Sequence, residues 1–281
     1  MADNNGVTSY SEAIKNTSRR RVGKALAAGL VKRMGRSVLY LPTVDRKRLA
    51  VFAHHGCLTC VTLLRACGVQ VWKHSEPTIH IGVDGNNSRC KMPDVKMHRE
   101  PYTVNRYGLA TALQATIRGI QCVESHLERV VILDSVLQKR LVAFEDLQRE
   151  IKRIGDTRLT AGLRDADGKA RSGMETLARL ELQKLGLDVR PGEVIPGVGE
   201  VDLLVGEKLI IELDGYEWHS DKTAFAKDRA RSRAATMLGM DTLRFTFADV
   251  TEPGFLASEV QRYFATRDRG NVHERTYLVH E

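Results

Sequence analysis

Residues 199–214 read GEVDLLVGEKLIIELD: two apolar runs that carry carboxylates and meet at Gly206-Glu207-Lys208. Apolar runs around a glycine turn predict a β-hairpin. Side chains alternate faces along a strand, so Glu212 and Asp214 share one face while Ile211 and Leu213 take the other. The turn length then decides which carboxylates meet. A two-residue turn at Gly206-Glu207 would pair Asp202 with Ile211 and set Glu212 on the face away from Asp202. A three-residue turn, Gly206-Glu207-Lys208, pairs Asp202 with Glu212. It also gathers Val201, Leu203, Val205, Leu209, Ile211 and Leu213 on one wholly apolar face. A hydrophobic face pins register, because a one-residue slip would expose all of it. The three-residue turn is therefore predicted, with Asp202, Glu212 and Asp214 along one side of the sheet.

Three carboxylates in an otherwise apolar hairpin repel one another and are costly to bury ionised. A divalent cation removes both difficulties. Hard oxygen ligands favour Mg2+ or Mn2+, which can activate water and stabilise an in-line displacement at phosphorus. The structural alternative is that Asp202 and Asp214 mark strand ends, with Asp214-Gly215 simply a turn.

The neighbouring segments predict a compact α/β unit. Ser172-Gly-Met-Glu175 opens a helix whose apolar residues are Met174, Leu177, Leu180, Leu182 and Leu185, closed by Gly186. Strands follow near 193–196, 200–205 and 209–214. A helix from about Thr223 to Leu238 stops at Gly239, and a last strand runs Thr242–Phe247, with Leu243, Phe245 and Phe247 on one face. The order is α-β-β-β-α-β.

Asp202, then Glu212-Leu-Asp214-Gly215, then Trp218-His219, and later Asp228-Arg-Ala-Arg231 and Leu243-Arg-Phe together resemble the PD-(D/E)XK nuclease superfamily. The nearest branch is that of the very-short-patch-repair (Vsr-like) endonucleases, and the resemblance covers about residues 172–250. It implies a metal-dependent endonuclease that hydrolyses phosphodiester bonds in DNA, in repair or in defence against foreign DNA. By position, Asp202 and Glu212 are the motif carboxylates, the backbone carbonyl of Leu213 is a further metal ligand, and Glu175 is the accessory acid. The superfamily's lysine, two residues after the glutamate, is Asp214 here. His219 matches a histidine of the Vsr-like branch and titrates near neutral pH, so it is the candidate for proton handling. Lys222 and Lys227 are its substitutes.

Each of these residues has a plainer alternative. Glu175 falls three after Ser172, the spacing of a capping box. His219 beside Trp218 can simply pack at the turn, and Trp218 can be core or can stack on a base. Lys227 and Arg231 sit four apart on one helix face, suited to a phosphate contact, while Asp228 and Arg231 are spaced to pair with each other.

With 281 residues the chain has room for further units. Its formal charge of +8 is all accounted for within residues 1–50, which hold eleven Lys or Arg against three Asp or Glu. So localised a positive segment suits a polyanion partner such as DNA. Residues 8–16 are expected as a helix. Thr17 or Ser18 then caps a second helix, Arg19 to Ala28, and a hairpin follows over Leu30–Met34 and Val38–Pro42. Helix, helix and hairpin predict a winged helix, with Arg19, Arg20, Arg21 and Lys24 on the second helix and Lys32, Arg33 and Arg36 on the wing. This stretch, ending SVLYLP, resembles the head of AbiEi-type antitoxins, which implies binding to DNA or to a protein partner. A toxin–antitoxin component, a homodimer, or a non-catalytic DNA-binding regulator on a degenerate nuclease fold are the rival readings.

The expected division is a winged-helix head at 1–45, a mixed α/β middle region at 46–154, a polar linker at 155–171 and the nuclease-like domain at 172–281. Within the middle region, GCLTCVTLLRACGV reads as helical, TIHIGV as a strand, and 122–153 as helical periodicity interrupted by a break at Leu141–Phe144 before a second helix, Glu145–Ile154, with Asp134 a surface or capping residue. The five cysteines (Cys57, Cys60, Cys67, Cys90 and Cys122) lack a second CxxC or HxxxH at zinc-finger spacing, so Cys57-Leu-Thr-Cys60 is read as reduced thiols rather than a metal site. No apolar run reaches membrane-spanning length and MADNNGVTSY lacks a secretory pattern, so the expected location is the cytoplasm.

Overall fold

The computed structural model describes residues 6–72, 78–85, 92–105, 108–214 and 222–277, with the side chains of 222–227 and 268–277 left out. It is a mixed α/β chain with three small sheets among the described residues. The chain divides into two compact units: 1–132 with 141–160, and 133–140 with 161–281. Among the described residues no helix is long and apolar enough to cross a membrane.

The first unit opens with β1 (Val7–Ser9), α1 (Tyr10–Asn16) and α2 (Arg19–Ala27), then β2 (Lys32–Met34) and β3 (Val38–Tyr40). Residues 7–9 form a strand that takes in the first two residues of the helix expected over 8–16, because Val7 and Ser9 pair with Tyr40 and Val38 of β3. The Ser9 side chain then accepts from Glu12 N at 3.1 Å and starts α1 one residue later. Ser18 caps α2 in the same way, at 3.3 Å to Arg21 N. The sheet order is β1-β3-β2, all antiparallel.

The unit continues with α3 (Arg46–His54), β4 (Cys57–Leu58), α4 (Cys60–Ala66), β5 (Ile79–Val83), β6 (Val95–Arg99), α5 (Ala112–Cys122), the first half of α6 (His126–Gln138), α7 (Phe144–Ile154) and the first half of α8 (Thr157–Arg164); residues of α6 from 133 and of α8 from 161 belong to the second unit. The expected helix over 56–69 is preceded by the short strand β4, which pairs antiparallel with β5; β5 pairs parallel with β6. One hydrophobic cluster joins Val7 and Val38 with Leu49, Ala53, Ile79 and Ile81, on both sides of the expected boundary at 45–46. The expected polar linker at 155–171 holds α8, whose Leu159 and Leu163 are buried. Polar composition concealed a helix with a single apolar stripe.

Gly82 on β5 is a point of close approach. A Cβ there would stand 2.3–2.6 Å from the Tyr102 ring. That ring is held through its hydroxyl, which donates to Glu100, itself the partner of Arg118. With the ring fixed, Gly82→Ala is expected to destabilise the protein by about 1–3 kcal/mol, as overpacking does. A thermal melt identical to wild type would show that the Tyr102 ring yields freely.

The second unit holds α9 (Gly173–Gln183), β7 (Val189–Ile195), β8 (Gly199–Val205), β9 (Leu209–Asp214), α10 (Lys222–Met237), β10 (Asp241–Thr246), α11 (Phe247–Thr251) and α12 (Phe255–Tyr277). The sheet order is β10-β9-β8-β7, with β10 parallel to β9 and the other pairs antiparallel. From α9 to β10 the element order is the expected α-β-β-β-α-β. The last strand ends one residue earlier than expected. Thr246 and Asp249 form a capping box that starts α11 at Phe247, leaving that ring 38% exposed instead of on the sheet. The polar residues Glu175, Thr176 and Arg179 of α9 are buried, while Leu185 lies beyond its end at the surface.

Candidate active site

The hairpin of β8 and β9 pairs Leu203 with Ile211, Leu204 with Ile210 and Val205 with Leu209. This is the three-residue turn, and Gly206 at its start takes a positive φ (59°), which glycine adopts without strain. Continued one step outward, the register sets Asp202 opposite Glu212. There the regular pairing gives way to a side chain: the Asp202 carboxylate accepts from the backbone N–H of Leu213 at 2.7 Å. Val201, Leu203, Val205, Leu209 and Ile211 are all buried, the apolar face that pins the register. Leu204 and Ile210, on the carboxylate-bearing face, are buried too, in a cluster with Ile195, Val198, Val201 and Ala235 of α10.

Four acids gather at this end of the sheet. Glu212 is 18% exposed and is paired with Arg231 of α10 at 3.0 Å. The same guanidinium donates to the carbonyl oxygen of Glu200 at 2.6 Å. Asp214 lies 3.8 Å from Arg244 of β10, which also holds Asp228 at 2.6 Å. Arg231 thus turns to Glu212, and the Asp228–Arg231 pairing that their spacing allowed gives way to Asp228–Arg244. Glu175 enters from α9. Its carboxylate accepts from Arg171 N at 2.7 Å and from the Ser172 hydroxyl at 2.9 Å, while Ser172 accepts from Glu175 N at 3.2 Å. Ser172 therefore caps α9 and Glu175 steadies that cap through the Ser172 hydroxyl and Arg171 N, without the reciprocal bond to Ser172 N of a capping box; its charge also acts on Asp202.

Burial pushes Glu212 up to about 7, and the charge of Asp202 adds to the push, against the pull of Arg231 and Arg244. Burial also raises Asp202, opposed by the Leu213 N–H and Arg231 and reinforced by Asp214. Glu175 is raised for the same reason, burial first, with Asp202 as a repelling neighbour. Burial is the first cause at all three groups and the repulsion between neighbouring carboxylates adds to it, so they resist ionising together.

His219 and Trp218 lie outside the described residues. Lys222 and Lys227 fall on α10, with their side chains not described. Arg19, Arg20, Arg21, Lys24, Lys32, Arg33 and Arg36 are exposed on α2, β2 and the turn that follows it. Arg33 stacks 4.2 Å over the Tyr10 ring and donates to the carbonyl of Arg36 at 2.5 Å.

The first unit holds a set of donors that spacing did not reveal. Cys60, His80, His98 and Cys122 place their donor atoms within 4.8 Å of one another. Cys57 does not join its CxxC partner there; its thiol faces the backbone of Gly82. The available signal was a single histidine in each of two segments, the apolar TIHIGV and the mostly polar VKMHRE, and it names no partner.

The chain matches no protein-family profile and no curated protein. Among solved structures it is similar to the homing endonuclease I-Bth0305I catalytic domain. That likeness has 20% identity and a TM-score of 0.29, over 33% of this chain and 94% of that one. A likeness of this size decides no chemistry, which the carboxylates have to carry themselves.

Proposed function

We propose that this protein is a metal-dependent DNA endonuclease whose second unit hydrolyses phosphodiester bonds. The observation that carries the proposal is the convergence of Glu175, Asp202, Glu212 and Asp214 at one end of a mixed sheet, with Glu212 pushed up to about 7 by burial and by Asp202. The donors fit a hard cation, Mg2+ or Mn2+, and poorly suit a soft one. Asp202 and Glu212 are the ligands. In an antiparallel pair one residue's N–H and C=O point to the same neighbouring strand. The Leu213 N–H meets Asp202, and its carbonyl, expected on the same side, is proposed as a third ligand. Asp214 and Glu175 extend the negative field around them.

The bound cation supplies a Lewis acid for the phosphoryl oxygen and a water of lowered pKa. The protein's own groups orient this chemistry. His219 is proposed to take the proton of the attacking water, with Lys222 and Lys227 as alternatives. Arg231 holds Glu212 in place and is close enough to the site to meet a phosphate. The seven exposed cations of α2 and the following hairpin are proposed to hold the DNA backbone, as a winged helix would.

One observation favours a second reading. The Arg231 guanidinium already neutralises Glu212, and the superfamily lysine is replaced by Asp214, as in a nuclease fold turned to binding alone. Supercoiled-plasmid nicking with Mg2+, Mn2+ or EDTA separates the two. Nicking that needs metal and disappears in Asp202→Asn is the expected result. If the full-length protein leaves supercoiled, mismatched and branched DNA uncut with either metal, the binding-only reading takes its place.

A further inference from the structure

We propose that the first unit holds a structural Zn2+ ion, bound by the thiolates of Cys60 and Cys122, Nδ1 of His80 and Nε2 of His98. The four donors come from four separate elements: the start of α4, strands β5 and β6, and the last residue of α5. Cys60, His80 and His98 are buried and Cys122 is half-buried. Strand register explains the two histidines. His98 is opposite Gly82, two residues along from His80, so both imidazoles leave the β5–β6 pair on the same face. Cys60 adopts a positive φ of 55°, uncommon for a side-chain-bearing residue, and its sulfur is directed to the cluster and to the Arg118 carbonyl, 3.6 Å away.

Two of the donor spacings come close to those of a tetrahedral ion, and all four donors lie within 4.8 Å of one another. Zn–N bonds near 2.0–2.1 Å and Zn–S bonds near 2.3 Å place neighbouring donors about 3.3–3.8 Å apart. His80 Nδ1 and His98 Nε2 are 3.1 Å apart, and Cys122 Sγ is 3.7 Å from His80 Nδ1. Two imidazoles sharing a proton would explain the first distance alone. They would not explain why two thiols from distant segments arrive at the same point. The backbone N–H of His80 donates to the Thr62 hydroxyl at 2.8 Å, fixing the strand against α4. With all four positions supplied by protein, the site is closed and therefore structural rather than catalytic. Its thiolate and imidazole donors favour zinc over the Mg2+ proposed for the carboxylates, so the two metals sort by ligand chemistry. Binding displaces the two thiol protons to solvent, with no change of oxidation state.

Elemental analysis of the purified full-length protein by mass spectrometry tests the site directly. About one zinc per chain, retained through dialysis, is expected. After chelation, Co2+ should restore the strong visible bands of a tetrahedral cobalt–thiolate centre. Cys122→Ser and His98→Ala should lose the metal, whereas Cys57→Ser and Cys67→Ser should keep it. The Co2+ spectrum of the wild type decides the question even if the ligand variants fail to fold. A wild type that takes up neither zinc nor cobalt would overturn the proposal, as would a Cys60–Cys122 disulfide in the native protein. Metal loss in Cys57→Ser matching that in Cys122→Ser would also refute this ligand set.

Discussion

Glu212→Gln is expected to abolish metal-dependent cleavage and, with metal removed by EDTA, to make the protein more stable near neutral pH. The two effects have one cause. In the fold Glu212 is pushed up to about 7 from an ordinary 4.5, so the fold favours its protonated form. Stability from this group is therefore full below about pH 4.5, falls as pH rises through about 7, and is flat above. The shift corresponds to roughly 3 kcal/mol at most, and about 2 kcal/mol after allowance for the solvent still reaching the group. A glutamine cannot ionise and escapes this loss; the pull of Arg231 on the charged form is already contained in the net shift. In EDTA the variant should melt about 4–8 °C above wild type at about pH 8, and the gap should close at about pH 5. Mg2+ should reverse the order by stabilising wild type alone. Removing a metal ligand should lower cleavage by about a thousandfold or more. Wild-type metal affinity should also weaken as pH falls below about 7, because protons compete for Glu212. A variant that melts below wild type at pH 8 in EDTA would show that the Arg231 pair outweighs the repulsion, and would remove the electrostatic case for a cation site.

The parts of this molecule legible in its sequence are those fixed by neighbours along the chain. The β8–β9 register could be read because a single choice of turn collects Val201, Leu203, Val205, Leu209 and Ile211 on one side, and their burial agrees. The Ser172 cap was legible for the same reason, since a cap and the N–H it accepts from lie three residues apart, and the choice between Thr17 and Ser18 falls to Ser18. What escaped is long-range. Asp134 looks like a surface residue on a helix until Arg179, 45 positions on, meets it in the interior. Cys60 appears to belong with Cys57, yet its donor partners are 20, 38 and 62 residues downstream. Strand β1 was hidden because its partners, residues 38–40, lie about thirty positions away, and Thr8 and Ser9 read locally with the helix that follows them. The candidate site was half legible: Asp202, Glu212 and Asp214 follow from one hairpin. The seating of Arg231 on Glu212 needed α10 folded back on the sheet.

The buried pair of Asp134 and Arg179 should be the most sensitive point for folding of the second unit. Both side chains are 2% exposed and 2.9 Å apart. Asp134 also accepts from the backbone N–H groups of Asp167 and Gly168 at 2.7 and 3.3 Å, and from the Thr176 hydroxyl at 2.8 Å. It therefore ties the end of α6 and the 167–168 turn to α9, the helix that carries Glu175. Arg179 has one other side-chain partner among the described residues, Gln183 at 3.2 Å, which is neutral. Asp134→Ala leaves a buried guanidinium without an anion and two backbone N–H groups without an acceptor, and should cost about 3–5 kcal/mol in denaturant unfolding. Removing both charges together, as Asp134→Leu with Arg179→Met, should recover much of that loss, because the guanidinium is no longer stranded. The same logic bears on dissecting the chain. Residues 133–140 belong to the second unit, so a fragment beginning at 165 removes Asp134 and should unfold like the alanine variant, whatever the carboxylates can do. Equal stability of wild type and Asp134→Ala would mean that Arg179 finds water or another acceptor at little cost. In that case a fragment from 165 should be well folded and would be the simplest species in which to measure cleavage.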